Sequence, residues 1–149
     1  MKAGVLVLGL LALIAAAGTA DAARIAGISG ACTLTTGGKP QPCTGVVYME
    51  FPETGRANFT VPFGDGALAF SGSELTGTAE STTLTLDAVV EVRADATTID
   101  HPASGTCTLS HDAAVTVIRS LRCTAVSDLG ALTLMLAGDG SPLDLRELG

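Results

Sequence analysis

The chain predicts a small all-β domain stapled by disulfides, and three observations carry that reading. An export-type leader precedes four cysteines; a Cys-containing phrase occurs twice; and Thr- and Val-rich alternating segments are punctuated by Gly and Asp, with no long apolar stripe of 3.6-residue period after the leader. Many short strands at regular spacing suit an antiparallel β-sandwich, the architecture expected first, or a small closed β-barrel as the alternative.

The leader decides which residues belong to the working protein. Lys2 supplies a positive start, residues 5–17 are apolar and uncharged, and Ala20-Asp21-Ala22 fits the small-x-small cleavage rule. Residues 1–22 therefore read as a signal peptide, and residues 23–149 as a single domain. An uncleaved anchor is the rival, since residues 3–20 carry no charge and approach the roughly 18-residue minimum for a spanning helix. The Ala and Gly content and the cleavage pattern favour removal, so no stable membrane insertion is expected. Lipid anchoring needs a Cys directly after the apolar run, and Cys32 lies beyond Arg24, with Ser29 where Leu is required. The export reading places the protein in a secreted or periplasmic setting.

Strands are expected in order near residues 24–35, across a hairpin at 44–63, and at 67–71, 82–93, 104–110, 114–126 and 131–137. In the hairpin, Val47, Met49 and Phe51 form one row and Phe59, Val61 and Phe63 another, both expected to pack inward. Pro52-Glu53-Thr54-Gly55 has the composition of the turn between them. The 82–93 segment alternates most cleanly, with Leu84, Leu86, Ala88, Val90 and Val92 on one face and only Val89 out of pattern. Along 114–126, Val115, Val117, Leu121 and Cys123 form a row broken by Arg119, which a bulge or an edge position explains. The tail after Gly138 carries Leu143, Leu145 and Leu148, suited to a last short strand or turn, or to a mobile end.

Gly30-Ala31-Cys32-Thr33-Leu34-Thr35 recurs as Gly105-Thr106-Cys107-Thr108-Leu109-Ser110, and each copy is followed by a Cys-Thr pair, Cys43-Thr44 and Cys123-Thr124. The echo selects Cys32 with Cys43 and Cys107 with Cys123 among the three connectivities open to four cysteines. Paired thiols persist in oxidising compartments, and loops this short stabilise by about 3 kcal/mol each on the chain-entropy account. Internal duplication over 30–51 and 105–126 and chance recurrence in a Thr- and Gly-rich chain both leave that pairing intact. A zinc site lacks the C-x-x-C knuckle it would need.

Charge and motifs exclude more than they assign. Cleavage removes Lys2 and Asp21 together, so the net charge stays at −7, and without a basic run to neutralise phosphates no nucleic-acid binding is expected. The single Tyr and four Phe all fall between residues 48 and 70, and there is no Trp, which argues against aromatic sugar platforms and membrane-barrel girdles. Tyr48 stands opposite Met49 and is the candidate contact residue, either as an exposed contact or as a cover for a sheet edge. Ser110-His111-Asp112 gathers triad residue types, yet neighbours on a strand point to opposite faces, and no Gly-x-Ser-x-Gly elbow exists. His111-Asp112 reads as a turn and His101-Pro102 as a loop. Gly64-Asp65-Gly66 and Gly138-Asp139-Gly140 each offer one carboxylate, too few for calcium. Asn58-Phe59-Thr60 matches the glycosylation sequon inside a predicted strand and is read as incidental.

No catalytic residue, metal or cofactor is therefore expected. The sequence points to a non-enzymatic exported β-domain, an interaction or structural module of the cell envelope or the extracellular space, whose partner is a protein or a small apolar ligand of unknown identity. A carrier for a small apolar ligand is one alternative, and a small secreted hydrolase using His101 or His111 is another. Intact-mass spectrometry of the exported protein is expected to show a chain starting near Ala23 whose mass rises by about four protons on reduction; an unchanged mass would rule out both bridges.

Overall fold

A computed structural model describes residues 22–148, so the predicted leader lies outside the described residues apart from Ala22. The strands are β1 (Arg24–Thr36), β2 (Lys39–Phe51), β3 (Arg56–Phe63), β4 (Gly66–Thr78), β5 (Ser81–Val92), β6 (Thr98–His111), β7 (Ile118–Ser127), β8 (Gly130–Gly138) and the two-residue β9 (Arg146–Glu147). Each of the first seven pairs antiparallel with the next, and β1 pairs with both β2 and β8. The sheet therefore closes as an eight-stranded meander barrel. The all-β, disulfide-stapled class stands, and of the two architectures it is the barrel that forms rather than the two-layered sandwich. Closure gives β1 a partner on each side and removes the free edges that a sandwich would leave.

Glycines let the strands bend that tightly. At Gly30 a Cβ would lie 1.9 Å from the carbonyl oxygen of Ala137, and at Gly105 it would lie 1.9 Å from that of Thr124. Both have positive φ, 156° and 149°. The glycine that opens each copy of the repeated phrase is thus a point where a neighbouring backbone leaves no room for a side chain. Two residues on, the cysteines face each other across hairpins. Cys32 pairs with Cys43 at a Cα separation of 4.8 Å, and Cys107 with Cys123 at 4.0 Å. The bridges imply an oxidising environment.

Bulges account for both breaks in the sequence pattern. Between Leu86 and Ala88 the pairing of β5 shifts, and Asp87 is the odd residue; beyond it Val89 faces the core, fully buried. Between Ser110 and His111 the register of β6 on β7 shifts at Arg119, which stays exposed. β7 starts at Ile118, so residues 114–117, read from sequence as the beginning of a strand, belong to a loop instead, whereas His111, read as a turn residue, ends β6.

One facing and one placement differ from expectation. The turn at 52–55 forms where Pro and Gly placed it, but on β2 it is Val46, Tyr48 and Glu50 that turn inward, not Val47, Met49 and Phe51. Both rows are apolar enough to serve, and the register decides. Tyr48 lies opposite Phe59, Phe59 opposite Phe70, Phe70 opposite Val89, and Val89 opposite His101, one interior row across five strands. His101-Pro102 accordingly lies within β6, not in a loop. Leucines fill most of the rest, among them Leu34, Leu68, Leu84, Leu121, Leu132 and Leu134, as expected of a barrel of this strand number.

The tail docks. Val117 bridges to Pro142, Leu143 N–H donates to Thr116 O at 2.6 Å, β9 pairs with Arg24 and Ile25, and Leu148 N–H donates to Ala23 O at 2.7 Å. Gly105→Ala is expected to cost about 3 kcal/mol and lower the melting temperature by about 10 °C. Gly27→Ala, where an added Cβ meets nothing within 4 Å, serves as the control and is expected to be neutral or slightly stabilising.

Candidate functional site

The meander gives the barrel two unlike ends. One carries the turns β1–β2, β3–β4, β5–β6 and β7–β8; the other, the entry end, carries β2–β3, β4–β5 and β6–β7 together with the start of β1 and the C-terminal strap, residues 139–148 with β9 in it. At the entry end the leucine filling stops short. A cavity of about 220 Å³ opens there, walled by Ile28, Phe59, Leu84, Leu109 and Ile118 and rimmed by Leu75, Val115, Leu143 and Leu145.

The gap has a structural origin. β8 covers β1 only from Gly30 to Thr36, and the first residues of β1 find their second partner in β9. The stretch between them is spanned by the strap, which holds on through a few main-chain hydrogen bonds and Leu143. A full eighth strand would have brought a further row of side chains inward.

Among the described residues three polar side chains line the cavity: Tyr48, Glu50 and Thr82. Tyr48 stacks at a tilt on Phe59, ring centres 5.1 Å apart, and its hydroxyl donates to Glu50 Oε2 at 2.7 Å. Burial, followed by this bond to a carboxylate, pushes the Tyr48 hydroxyl far above its ordinary range. Glu50, its side chain 18% exposed, also pairs through Oε1 with Arg24 Nε at 2.5 Å; the carboxylate oxygen lies off the N–H direction, so this is an ion pair without a hydrogen bond. Arg24 itself does not line the cavity.

Thr82 is engaged from behind. His111, almost wholly buried, places Nδ1 2.7 Å from the carbonyl of Asp112 and Nε2 2.8 Å from Thr82 Oγ1. A carbonyl only accepts, which assigns the ring proton to Nδ1; in the neutral ring Nε2 then accepts from the threonine hydroxyl. The hydrogens of Tyr48 and Thr82 are thus both committed, and every polar side chain facing the cavity offers acceptor capacity alone.

The loop over the rim is held by one carboxylate. Asp112 accepts from the main-chain N–H of Thr116 and Val117 at 2.7 and 3.0 Å and from the Thr116 hydroxyl at 2.5 Å. The hydroxyl bond leads in holding the Asp112 carboxyl down to about 2. Within this loop Val115 takes φ 55°, a left-handed conformation that β-branched residues avoid, and presents its side chain 44% exposed on the rim.

The second histidine lies toward the other end. His101 Nδ1 is 2.6 Å from Asp128 Oδ1 and Nε2 is 3.3 Å from Glu91 Oε1, so both ring nitrogens face carboxylates on opposite sides. Among the described residues the ring's hydrogen-bond partners are those two carboxylates, and no group of three or more His, Cys, Asp or Glu is placed to hold a metal ion. Asp65 and Asp139 occupy turns, and the Asp139 carboxylate is taken by Ser141 N–H at 2.9 Å.

Sequence reasoning identified Tyr48 by its position opposite Met49, but the face opposite Met49 is the interior. It missed Glu50, Thr82 and Val115. The one available signal was Glu50 within an otherwise apolar hairpin arm. Compared with protein-family models and with curated proteins, the chain matches none.

His101 yields a pH prediction. Burial lowers its pKa, but hydrogen bonds to Asp128 and Glu91 and their charges together outweigh that and raise it above its ordinary 6.5. The proton is therefore held more tightly in the fold than in the unfolded chain. Its stabilisation is complete below about 6.5 and is lost as pH rises through the folded value. The melting temperature is expected to fall between mildly acidic and mildly alkaline pH, and His101→Gln to flatten that slope; parallel slopes would show that another group sets it.

Proposed function

We propose that the protein is an exported binding protein, secreted or periplasmic, whose entry-end mouth takes a slender apolar group. The observation that carries this reading is the open cavity of about 220 Å³, apolar on all but three of its side chains. Concave apolar sites with a few placed polar groups are the usual form of small-ligand sites, and this volume, below the ~300 Å³ typical of drug-sized pockets, favours a narrow occupant. Val115 adds support: strain of about 1–3 kcal/mol is kept at a residue whose only evident product is an apolar side chain on the rim.

A surface-interaction module has less behind it. The patch expected around Tyr48 depended on an outward-facing ring, and that ring lines the cavity. The hydrolase alternative has one favouring contact, Thr82 to His111 with Asp112 O as orienter. Against it, no lining side chain has a free donor for an oxyanion, which acyl transfer demands. We therefore read the function as binding without catalysis.

Tyr48 is the single Tyr in a chain without Trp, so its emission reports on the cavity directly. Titration with 1-octanol is expected to change that emission saturably. Val115→Asn, which tolerates the left-handed backbone, is expected to stabilise the protein by about 1 kcal/mol and weaken octanol binding several-fold. A wild-type protein whose Tyr48 emission does not respond would refute the reading.

A further inference from the structure

We propose that the occupant of the cavity is an alkyl- or arylalkylammonium ion, with its charged head at Glu50 and its chain between Phe59, Leu84 and Leu109. This rests on the mouth being a ligand site and adds the chemical class that the site selects.

Donors and acceptors on the cavity wall are out of balance. Glu50 is a carboxylate and can only accept. Tyr48 has given its hydrogen to Glu50, and Thr82 has given its hydrogen to His111. The lining therefore presents lone pairs without a free side-chain hydrogen to match an acceptor on the ligand. An ammonium head brings three donors and no acceptor, the complement of this wall. A carboxylate head brings acceptors only, and each of its oxygens would be stripped of water without a replacement bond.

Placement and charge agree with that count. Glu50 lies one residue from the end of β2, near the rim, whereas Phe59, Leu84 and Leu109 line the cavity along the strands. A chain directed between them leaves the head beside the carboxylate. Arg24, the one cation on Glu50, stands 42% exposed and outside the lining, so the ligand meets the carboxylate and not the guanidinium. Around the same end the carboxylates, Glu53, Glu74, Glu80 and Asp112 among them, outnumber the four arginines Arg24, Arg56, Arg119 and Arg146, and the chain as a whole carries −7. That field draws cations toward the mouth and repels anions.

The test compares three probes of equal chain length by Tyr48 emission and by calorimetry, at neutral pH and low salt: octylammonium, 1-octanol and octanoate. Octylammonium is expected to bind tightest, roughly tenfold or more above octanoate, with 1-octanol between. Added salt is expected to weaken octylammonium and leave 1-octanol unchanged, a result that needs no variant. Glu50→Gln, where it folds, is expected to bring octylammonium down to the level of 1-octanol. Octanoate binding as tightly as octylammonium, or an ammonium preference that survives both salt and Glu50→Gln, would overturn the proposal while leaving the mouth a binding site. Failure of all three probes, 1-octanol included, would overturn the binding reading itself and this proposal with it.

Discussion

Everything in this molecule depends on β1 holding two strands at once. Pairing with β2 makes an ordinary hairpin, but pairing with β8 converts an open meander into a barrel, and that second contact is made only along Gly30–Thr36. At its start the backbone of β8 comes so near that no side chain fits at Gly30. The disulfide two residues further on ties β1 to β2 beside this point. A covalent staple and a glycine contact thus lie together where the sheet closes, the place where loss of pairing would expose the most unsatisfied backbone.

The same closure explains where the protein is full and where it is hollow. Where eight strands face one another, the inward rows of Leu, Phe and Cys fill the interior. Before Gly30, β1 has lost β8 as a neighbour, and a strap carrying only Leu143 and Leu145 inward replaces a strand. The cavity is the volume that this exchange leaves empty. Its polar wall follows from local hydrogen-bond accounting: buried hydroxyls must find acceptors, and Tyr48 and Thr82 find theirs in Glu50 and His111. A site with its donors already spent is a by-product of satisfying the fold, and it gives the mouth a chemical sign.

The legible parts of this structure are those that depend on near neighbours in the chain. The turn at 52–55 was set by Pro and Gly, and the disulfide partners by the repeated phrase and by short loops. Val89 and Arg119 were visible as interruptions of alternation, and each marks a bulge. The candidate site was legible only in part. Tyr48 was singled out on β2, but its facing was open, because a two-residue period with apolar residues on both rows has two self-consistent solutions. Glu50, Thr82 and His111 come from three strands, and nothing local to any of them records the other two.

By itself the sequence determined the all-β class, the strand-and-turn order, the cysteine pairing and the absence of a basic surface, because alternation, turn chemistry, loop length and charge are properties of short segments. Only the tertiary structure decided between sandwich and barrel, turned Tyr48 inward, set His101 between Glu91 and Asp128, and opened a cavity at one end. Those outcomes hang on cross-strand register and on which strand β1 meets on its second side. Both are fixed by contacts between residues far apart in the chain, chosen by the packing of the whole interior.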